Sequence, residues 1–535
     1  MANRSENFTG KTKALLPYLL ILLVGVAAYF LTRLAIPDGE TIARKPEASP
    51  TSSTYPKQPA PGKPSKTQRS QTGKLDTAAI EDGAIPNQRV LVFKDKASLD
   101  TFLAKMGGGL SLLGRIDSLN SLRIGFQNEA DLLALLDGTE ETGFIFPLRI
   151  PDFETVGPQE GAAAFGNGLL KWLGIEGDNS QWGAGVKIAI LDTGIADHLA
   201  FANAIQRFNL VPLPENPSDL NGHGTAVATL IFSNNPFAPG IAPSATPMSY
   251  RIANDDGVSD SFLIAKAIVA AVDDGANIIN ISMGGYGRSA VTDSALAYAA
   301  EYGVPVIAPS GNSGRPGVMQ PAANTTVIAV GAVDAKNQYM NFSTTGSEVA
   351  VSAAGYGINV AYPGNKAAQV SGTSFSAPAI VGTIAATMSN SGARTLSSSQ
   401  AIALMNANLN DVGSQGHDPQ TGAGVPDMWR ILNTGKTGIA DAAVTSVYTE
   451  RNQVQVLVQN QGTELLINTG VSVNVNGVTT SANITTLAVG ESRLVTVPAG
   501  SSDILHIQSS VQLSGGQSDQ RPSNDTLSQK INPTP

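Results

Sequence analysis

Apolar positions along this chain change their spacing several times, and each change marks a boundary. Ala14 to Thr32 is an unbroken run, ALLPYLLILLVGVAAYFLT, nearly long enough as a helix to cross a hydrocarbon core of about 30 Å. Val26-Ala27-Ala28 offers small residues to a signal peptidase. Tyr29, Phe30 and Leu31 continue the run, however, so residues 1–36 read as a cytoplasmic tail with an uncleaved anchor, the cleaved signal being the competing reading. Basic residues flank both ends of the run (Arg4, Lys11 and Lys13 before it, Arg33, Arg44 and Lys45 after it) and set no orientation. Residues 37–73 are rich in Pro, Ser, Thr and Lys with almost no large apolar side chains. Such a segment buries too little surface to offset its ordering entropy, and residues 37–85 are expected to be a disordered linker.

From 86 to 150 two periods alternate. Arg89–Phe93 predicts a strand, and Leu99, Phe102, Leu103 and Met106 at i, i+3, i+4 and i+7 predict a helix. Leu110 and Leu112 open a second strand, and Leu122, Ile124 and Phe126 alternate in a third. Leu132, Leu133, Leu135 and Leu136 mark a second helix ending at Gly138, and Phe144, Phe146, Leu148 and Ile150 alternate in a last strand. That order, βαββαβ, is the ferredoxin-like α+β plan.

From 168 to 434, short β-branched runs alternate with helical stretches. Val186–Leu191, Met248–Ile252, Asn277–Met283, Val304–Ala308 and Thr326–Val333 read as buried strands. Phe262–Asp274 reads as a helix closed by Gly275. The pattern predicts an α/β domain with a doubly wound, mostly parallel sheet. In 438–535 Val454–Val458, Val471–Val475 and Ser492–Val497 are separated by Gly/Asn turns, which predicts a β-sandwich.

Charge and composition narrow the function. The 535 residues contain no cysteine, which excludes a disulfide, a thiolate nucleophile and a cysteine metal site. Net charge is −9, but residues 1–73 carry ten Lys/Arg against four Asp/Glu. A basic head on an acidic body argues against nucleic acid as a partner.

Four motifs follow strands or open helices in the α/β region, where such folds place their sites. Leu191-Asp192-Thr193-Gly194 directly follows a strand. Asn221-Gly222-His223-Gly224-Thr225-Ala226-Val227-Ala228 starts a helix from a glycine pocket. Pro309-Ser310-Gly311-Asn312 follows another strand, and Ser371-Gly372-Thr373-Ser374-Phe375-Ser376-Ala377-Pro378 leads into a helix over Ala379–Met388. Singly, each is as readily a turn cap, a structural histidine or an N-cap; His198, His417 and His506 are read as structural.

In the order Asp…His…Asn…Ser the four motifs resemble the subtilisin family of serine peptidases, over roughly 168–434. The resemblance implies that Ser374 attacks the peptide carbonyl, His223 is its general base and Asp192 orients the imidazole. It also implies that Asn312 and the Ser374 N–H stabilise the oxyanion. Gly257 and Ser282-Met283-Gly284 would be the backbone edges that pair with an extended substrate, with Gly311 beside them. Two departures stand out. Pro-Ser-Gly-Asn replaces the usual Ala-Ala-Gly-Asn in the wall of the primary pocket, and Phe375 replaces a common Met, as packing within its helix.

By plan and position, 86–150 resembles the inhibitory propeptide of that family, with 151–167 as the processing linker. Residues 440–532 resemble Ig-like adhesion modules through Asn460-Gln461-Gly462 and Pro522-Ser523-Asn524. The expected partners are protein or peptide substrates, the chain's own propeptide as intramolecular inhibitor, and a membrane through 14–32. The catalytic domain would then lie outside the cytoplasm, secreted or anchored. No cofactor is required. Calcium sites are frequent in the family, but no ligand set is assigned here. The competing reading from another class is a cell-surface binding protein on an inactive protease scaffold.

Overall fold

The computed structural model describes residues 83–138, 140–151, 159, 161–215, 220–390, 396–500 and 504–531. The expected anchor at 14–32, nearly all of the 37–85 linker, and 152–158 and 160 of the processing linker lie outside the described residues. Among the described residues no helix is long and apolar enough to cross a membrane.

The N-terminal unit contains β1 (Gln88–Val92), α1 (Lys96–Lys105), β2 (Leu110–Ile116), β3 (Ser121–Phe126), α2 (Glu129–Leu133) and β4 (Glu141–Gly143). Its strands form an antiparallel sheet in the order β2-β3-β1-β4. One face of that sheet, with Leu91, Leu122 and Ile124, meets Leu99, Phe102 and Leu132 from the helices.

The expected last strand, Phe144–Ile150, does not form as one piece. Glu141–Gly143 completes the sheet, and β5 (Pro147–Arg149) leaves it to pair elsewhere. Period-two alternation records burial on one face but not which sheet supplies the cover. Here the cover for Leu148 comes from the α/β domain.

That domain follows in chain order as α3 (Leu169–Trp172), β6 (Lys187–Asp192), β7 (Gln206–Asn209), α4 (His223–Phe232), β8 (Thr246–Arg251), β9 (Val258–Asp260), α5 (Ser261–Asp273), β10 (Ile278–Ile281), α6 (Ala290–Glu301), β11 (Val306–Pro309), β12 (Val327–Val333), β13 (Val349–Ala354), the hairpin β14 (Ile358–Tyr362) and β15 (Lys366–Val370), α7 (Thr373–Asn390), α8 (Ser398–Ala407) and α9 (Met428–Asn433). Seven strands pair in the order β13-β12-β11-β10-β6-β8-β7, every pair parallel. β7 carries no apolar run, and neither it nor β13, whose run is half alanine, was among the expected strands.

Alternate residues of β6 serve opposite cores. Ile188 and Ile190 pack with α4 and α7, while Ala189 and Leu191 pack with α5 and α6. Burial on both faces is why these strands read as continuous apolar runs. Successive strands lie to one side of β6 up to β8 and to the other from β10 onward. A crevice opens at such a switch point, beyond the strands' carboxyl ends.

The C-terminal module has two antiparallel sheets over one core. The first holds β16 (Ala442–Glu450), β17 (Gln453–Asn460) and β20 (Ser492–Pro498); the second holds β18 (Leu466–Val475), β19 (Val478–Leu487), β21 (Leu505–Gln512) and β22 (Thr526–Ile531). The two motifs singled out in the sequence meet, with Asn524 Nδ2 donating to Gln461 Oε1 and to Asp441 Oδ1, each at 2.9 Å. Arg521 ties the module to the α/β domain. Its Nη1 donates to Asp427 Oδ2 at 2.6 Å and its guanidinium lies 5.1 Å from the Trp429 ring centre.

Asp441 is fully buried at this junction, and burial, aided by Asp519, pushes its carboxyl up from 3.8 to about 7. Between pH 4 and 7 the native state therefore keeps a proton that the unfolded chain releases, so stability falls as pH rises through that window. The difference bounds the effect at about 4 kcal/mol. Asp441→Asn cannot ionise, and its stability relative to the parent is expected to be greater at pH 8 than at pH 5. Denaturant unfolding at both pH values measures it. An equal offset at the two pH values would contradict a buried, neutral Asp441.

Candidate active site

Asp192 is the last residue of β6 and His223 the first of α4. Gly224 lets the two meet: a Cβ there would collide with the Gly194 carbonyl and lie 3.1 Å from Asp192 Oδ1. His223 Nδ1 is 2.9 Å from Asp192 Oδ1 and 3.0 Å from Oδ2. A carboxylate accepts, so Nδ1 carries the proton and Nε2 is the basic nitrogen. The Thr193 N–H also donates to Asp192 Oδ1 at 2.7 Å, fixing the carboxylate from a second side.

Ser374 lies in the first turn of α7, which starts at Thr373, earlier than the expected Ala379. Pro378 is inside the helix because its missing N–H falls opposite the Ser374 carbonyl. That carbonyl instead accepts a hydrogen bond from Ser282 Oγ at 2.8 Å, and Asn280 Nδ2 donates to Ser282 Oγ at 2.9 Å. Ser282 thus contributes a side chain as well as a backbone edge. A proline four residues after a candidate nucleophile was the legible sign that this carbonyl needs another donor. Ser374 Oγ is buried and makes no hydrogen bond among the described residues.

Phe375 does more than pack within its helix, since its ring centre is 5.4 Å from that of His223. Asn312 Oδ1 accepts from the Thr373 N–H at 3.0 Å and from Thr373 Oγ1 at 2.8 Å. Those two donors fix which end of the amide is oxygen, so Nδ2, the donor end, is directed away from Thr373. Thr373 was not anticipated; the hydroxyl residue directly before the serine was its only sign.

Both segments read from the sequence as edges pair with residues of the same chain. Arg149 and Gly284 exchange both backbone hydrogen bonds at 2.9 Å, and the Ile150 N–H donates to the Gly257 carbonyl at 3.0 Å. β5 pairs antiparallel with β9, Leu148 opposite Ser259. Residues 147–150 are therefore a strand laid between the two edges. Met283, expected in the substrate cleft, has its side chain in the core. Around this strand, Ser261 Oγ accepts from the Phe146 N–H, Ser289 Oγ donates to the Phe144 carbonyl, and Arg123 Nη1 is 2.8 Å from Asp260 Oδ2.

Outside this region, His198 Nε2 lies 3.0 Å from the Lys366 carbonyl, and burial lowers its pKa. Among the described residues no group of three or more His, Cys, Asp or Glu could hold a metal ion.

These features define a parallel α/β domain whose crevice, at the switch point of its sheet, gathers an Asp–His pair and the buried Ser374. The model of the subtilase family matches residues 183–424. The chain is 37% identical over 205 residues to subtilisin BL of Lederbergia lenta, covering 38% of this chain and 76% of that protein. It is 36% identical over 208 residues to a thermostable alkaline protease of Halalkalibacterium halodurans, spanning 38% of this chain and 57% of the relative. The chain belongs to the subtilase family of serine-type endopeptidases. The crystal structure of the epidermin leader peptide processing serine protease from Staphylococcus aureus superposes with a TM-score of 0.55 at 21% identity, covering 66% of this chain and 99% of that one. At that identity the likeness speaks for the fold alone.

Proposed function

We propose that this chain is a serine endopeptidase made as a precursor that cuts itself, with Asp192, His223 and Ser374 as its triad. The observation that carries this reading is the strand at 147–150, a peptide from the same chain seated between the two edges.

Ser374 Oγ attacks the carbonyl carbon while its proton passes to His223 Nε2. Asp192 holds the tautomer and stabilises the imidazolium. The amide of Asn312 and the N–H of Ser374 receive the charge on the carbonyl oxygen. The proton then goes to the departing amine, and water, deprotonated by the same histidine, hydrolyses the acyl ester. In apo sites such nucleophile–base contacts are commonly long and tighten on binding.

On this reading, the N-terminal unit is an intramolecular inhibitor whose end follows the path of a substrate. Residues 14–32 carry the chain into a membrane or across it, with catalysis outside the cytoplasm. Protein and peptide chains are the substrates.

Intact-mass and peptide analysis after treatment with a fluorophosphonate tests the site. One phosphonate on Ser374 is expected, and none after the protein is unfolded beforehand. A folded protein that takes up no phosphonate would point to an inactive scaffold instead.

A further inference from the structure

The seated strand also has a register. Arg149 pairs with Gly284, and in an antiparallel ladder each step forward along one strand is one step back along the other. Ile150 therefore stands opposite Met283, and Pro151 opposite Ser282. Ser282 Oγ holds the Ser374 carbonyl, so Pro151 is the residue of the strand delivered to the nucleophile. Pro151 is buried.

Side-chain burial along the strand indicates what each position accepts. Leu148 is 3% exposed and belongs to the core that includes Met283 and Phe262. Arg149 is exposed, and Ile150 lies over Gly257, its Cδ1 3.2 Å from where a Cβ there would stand.

The Ser282–Gly284 edge, opposite which Pro151 stands, and Gly311, which precedes Asn312, face one shared space. Met319 already occupies it. The Met319 methyl carbon would be 3.0 Å from a Cβ at Gly284 and 2.9 Å from one at Gly311, so the thioether bridges both walls. Its own backbone is pinned there: the Met319 N–H donates to the Ser310 carbonyl at 3.2 Å, and Gln320 and Gly285 exchange hydrogen bonds. Met319 is 8% exposed.

We infer that Met319 plugs the primary pocket, so that the enzyme prefers a small residue, Pro or Ala, at the attacked carbonyl and a buried aliphatic residue three positions before it. Its first substrate is the Pro151–Asp152 bond of its own chain. Proline fits the shortened pocket but has no N–H to offer the Ser282 carbonyl, so alanine is accepted at least as well. This inference rests on the proposed peptidase activity and adds its specificity.

The test uses the full chain and four fluorogenic peptides, acetyl-Leu-Arg-Ile-X with X as Ala, Pro or Phe, and acetyl-Asp-Arg-Ile-Ala. Wild-type kcat/KM is expected to be at least about 10-fold higher for Ala than for Phe, and at least about 10-fold lower when Leu becomes Asp. Met319→Ala should raise kcat/KM for Phe by about 10-fold or more and leave Ala within a few-fold. The processed protein should begin at Asp152. A wild type that cleaves Phe as well as Ala, a Met319→Ala variant with unchanged ratios, or a Ser374-dependent cut at another bond overturns the specificity while sparing the peptidase reading. Cleavage of none of the peptides and no Ser374-dependent processing overturns the peptidase reading instead. Because the wild-type panel decides the pocket alone, a misfolded Met319→Ala variant leaves the inference exposed to refutation.

Discussion

Ser374→Ala is expected to lower kcat for a good peptide by on the order of 10⁶-fold, the scale known for the nucleophile of subtilisin, a relative of this chain. KM should change by no more than a few-fold, because on the proposed reading a substrate takes the place of residues 147–150 on the edges at Gly257 and Gly284, which do not involve the hydroxyl. The residual rate, still on the order of 10³-fold above solution, would come from binding and the oxyanion donors. Folding should not suffer. Ser374 Oγ is buried without a hydrogen bond among the described residues, so removing it strands no partner. Steady-state kinetics beside a thermal unfolding curve checks both halves. A loss below about 10-fold would mean that Ser374 is a helix-start residue and that another group does the chemistry.

The second large effect is expected at Asn312. Asn312→Ala should reduce kcat by about 10²–10³-fold with KM nearly unchanged, again the scale known for the corresponding donor in subtilisin. Its amide is oriented by Thr373, whose N–H and hydroxyl both hold Oδ1. In the proposed role, the donor would be in place before charge develops and would act on the transition state more than on bound substrate. Comparing kcat and KM separately is the measurement. A rise in KM with kcat intact would make Asn312 a binding residue.

The parallel sheet was legible because strands buried on both faces are written as apolar runs, as in Val186–Leu191, and because Gly275 closes α5. Its two ends were not legible. β7 (QRFN) sits on the sheet edge with mostly polar residues, and β13 (VAVSAA) is half alanine, a weak strand former. Among the candidate residues, Asp192, His223 and Asn312 stood out because each ends a strand or adjoins a glycine, and Ser374 because it opens a helix just after Gly372. Ser282 and Thr373 are single hydroxyls whose roles depend on contacts across 92 and 61 residues of sequence. The departure of β5 from its own sheet was hidden for the same reason: alternation in Phe144–Ile150 is identical whichever domain supplies the cover.

Asp260 gives the contact between the N-terminal unit and the α/β domain an unequal aftermath. Its Oδ2 receives Arg123, but its Oδ1 is the cap of α5, accepting from the N–H groups of Phe262 and Leu263 at 2.9 and 3.0 Å. Should the small unit leave, Asp260 would keep its two backbone donors and the positive end of a helix for company. No bare buried charge would remain on the enzyme side. Arg123 would return to water, where a guanidinium is well solvated. Ion pairs that orphan a partner are costly to break, whereas this one is built so that both halves have somewhere to go. Under the proposed maturation it would act as a latch that holds through alignment and opens without damage.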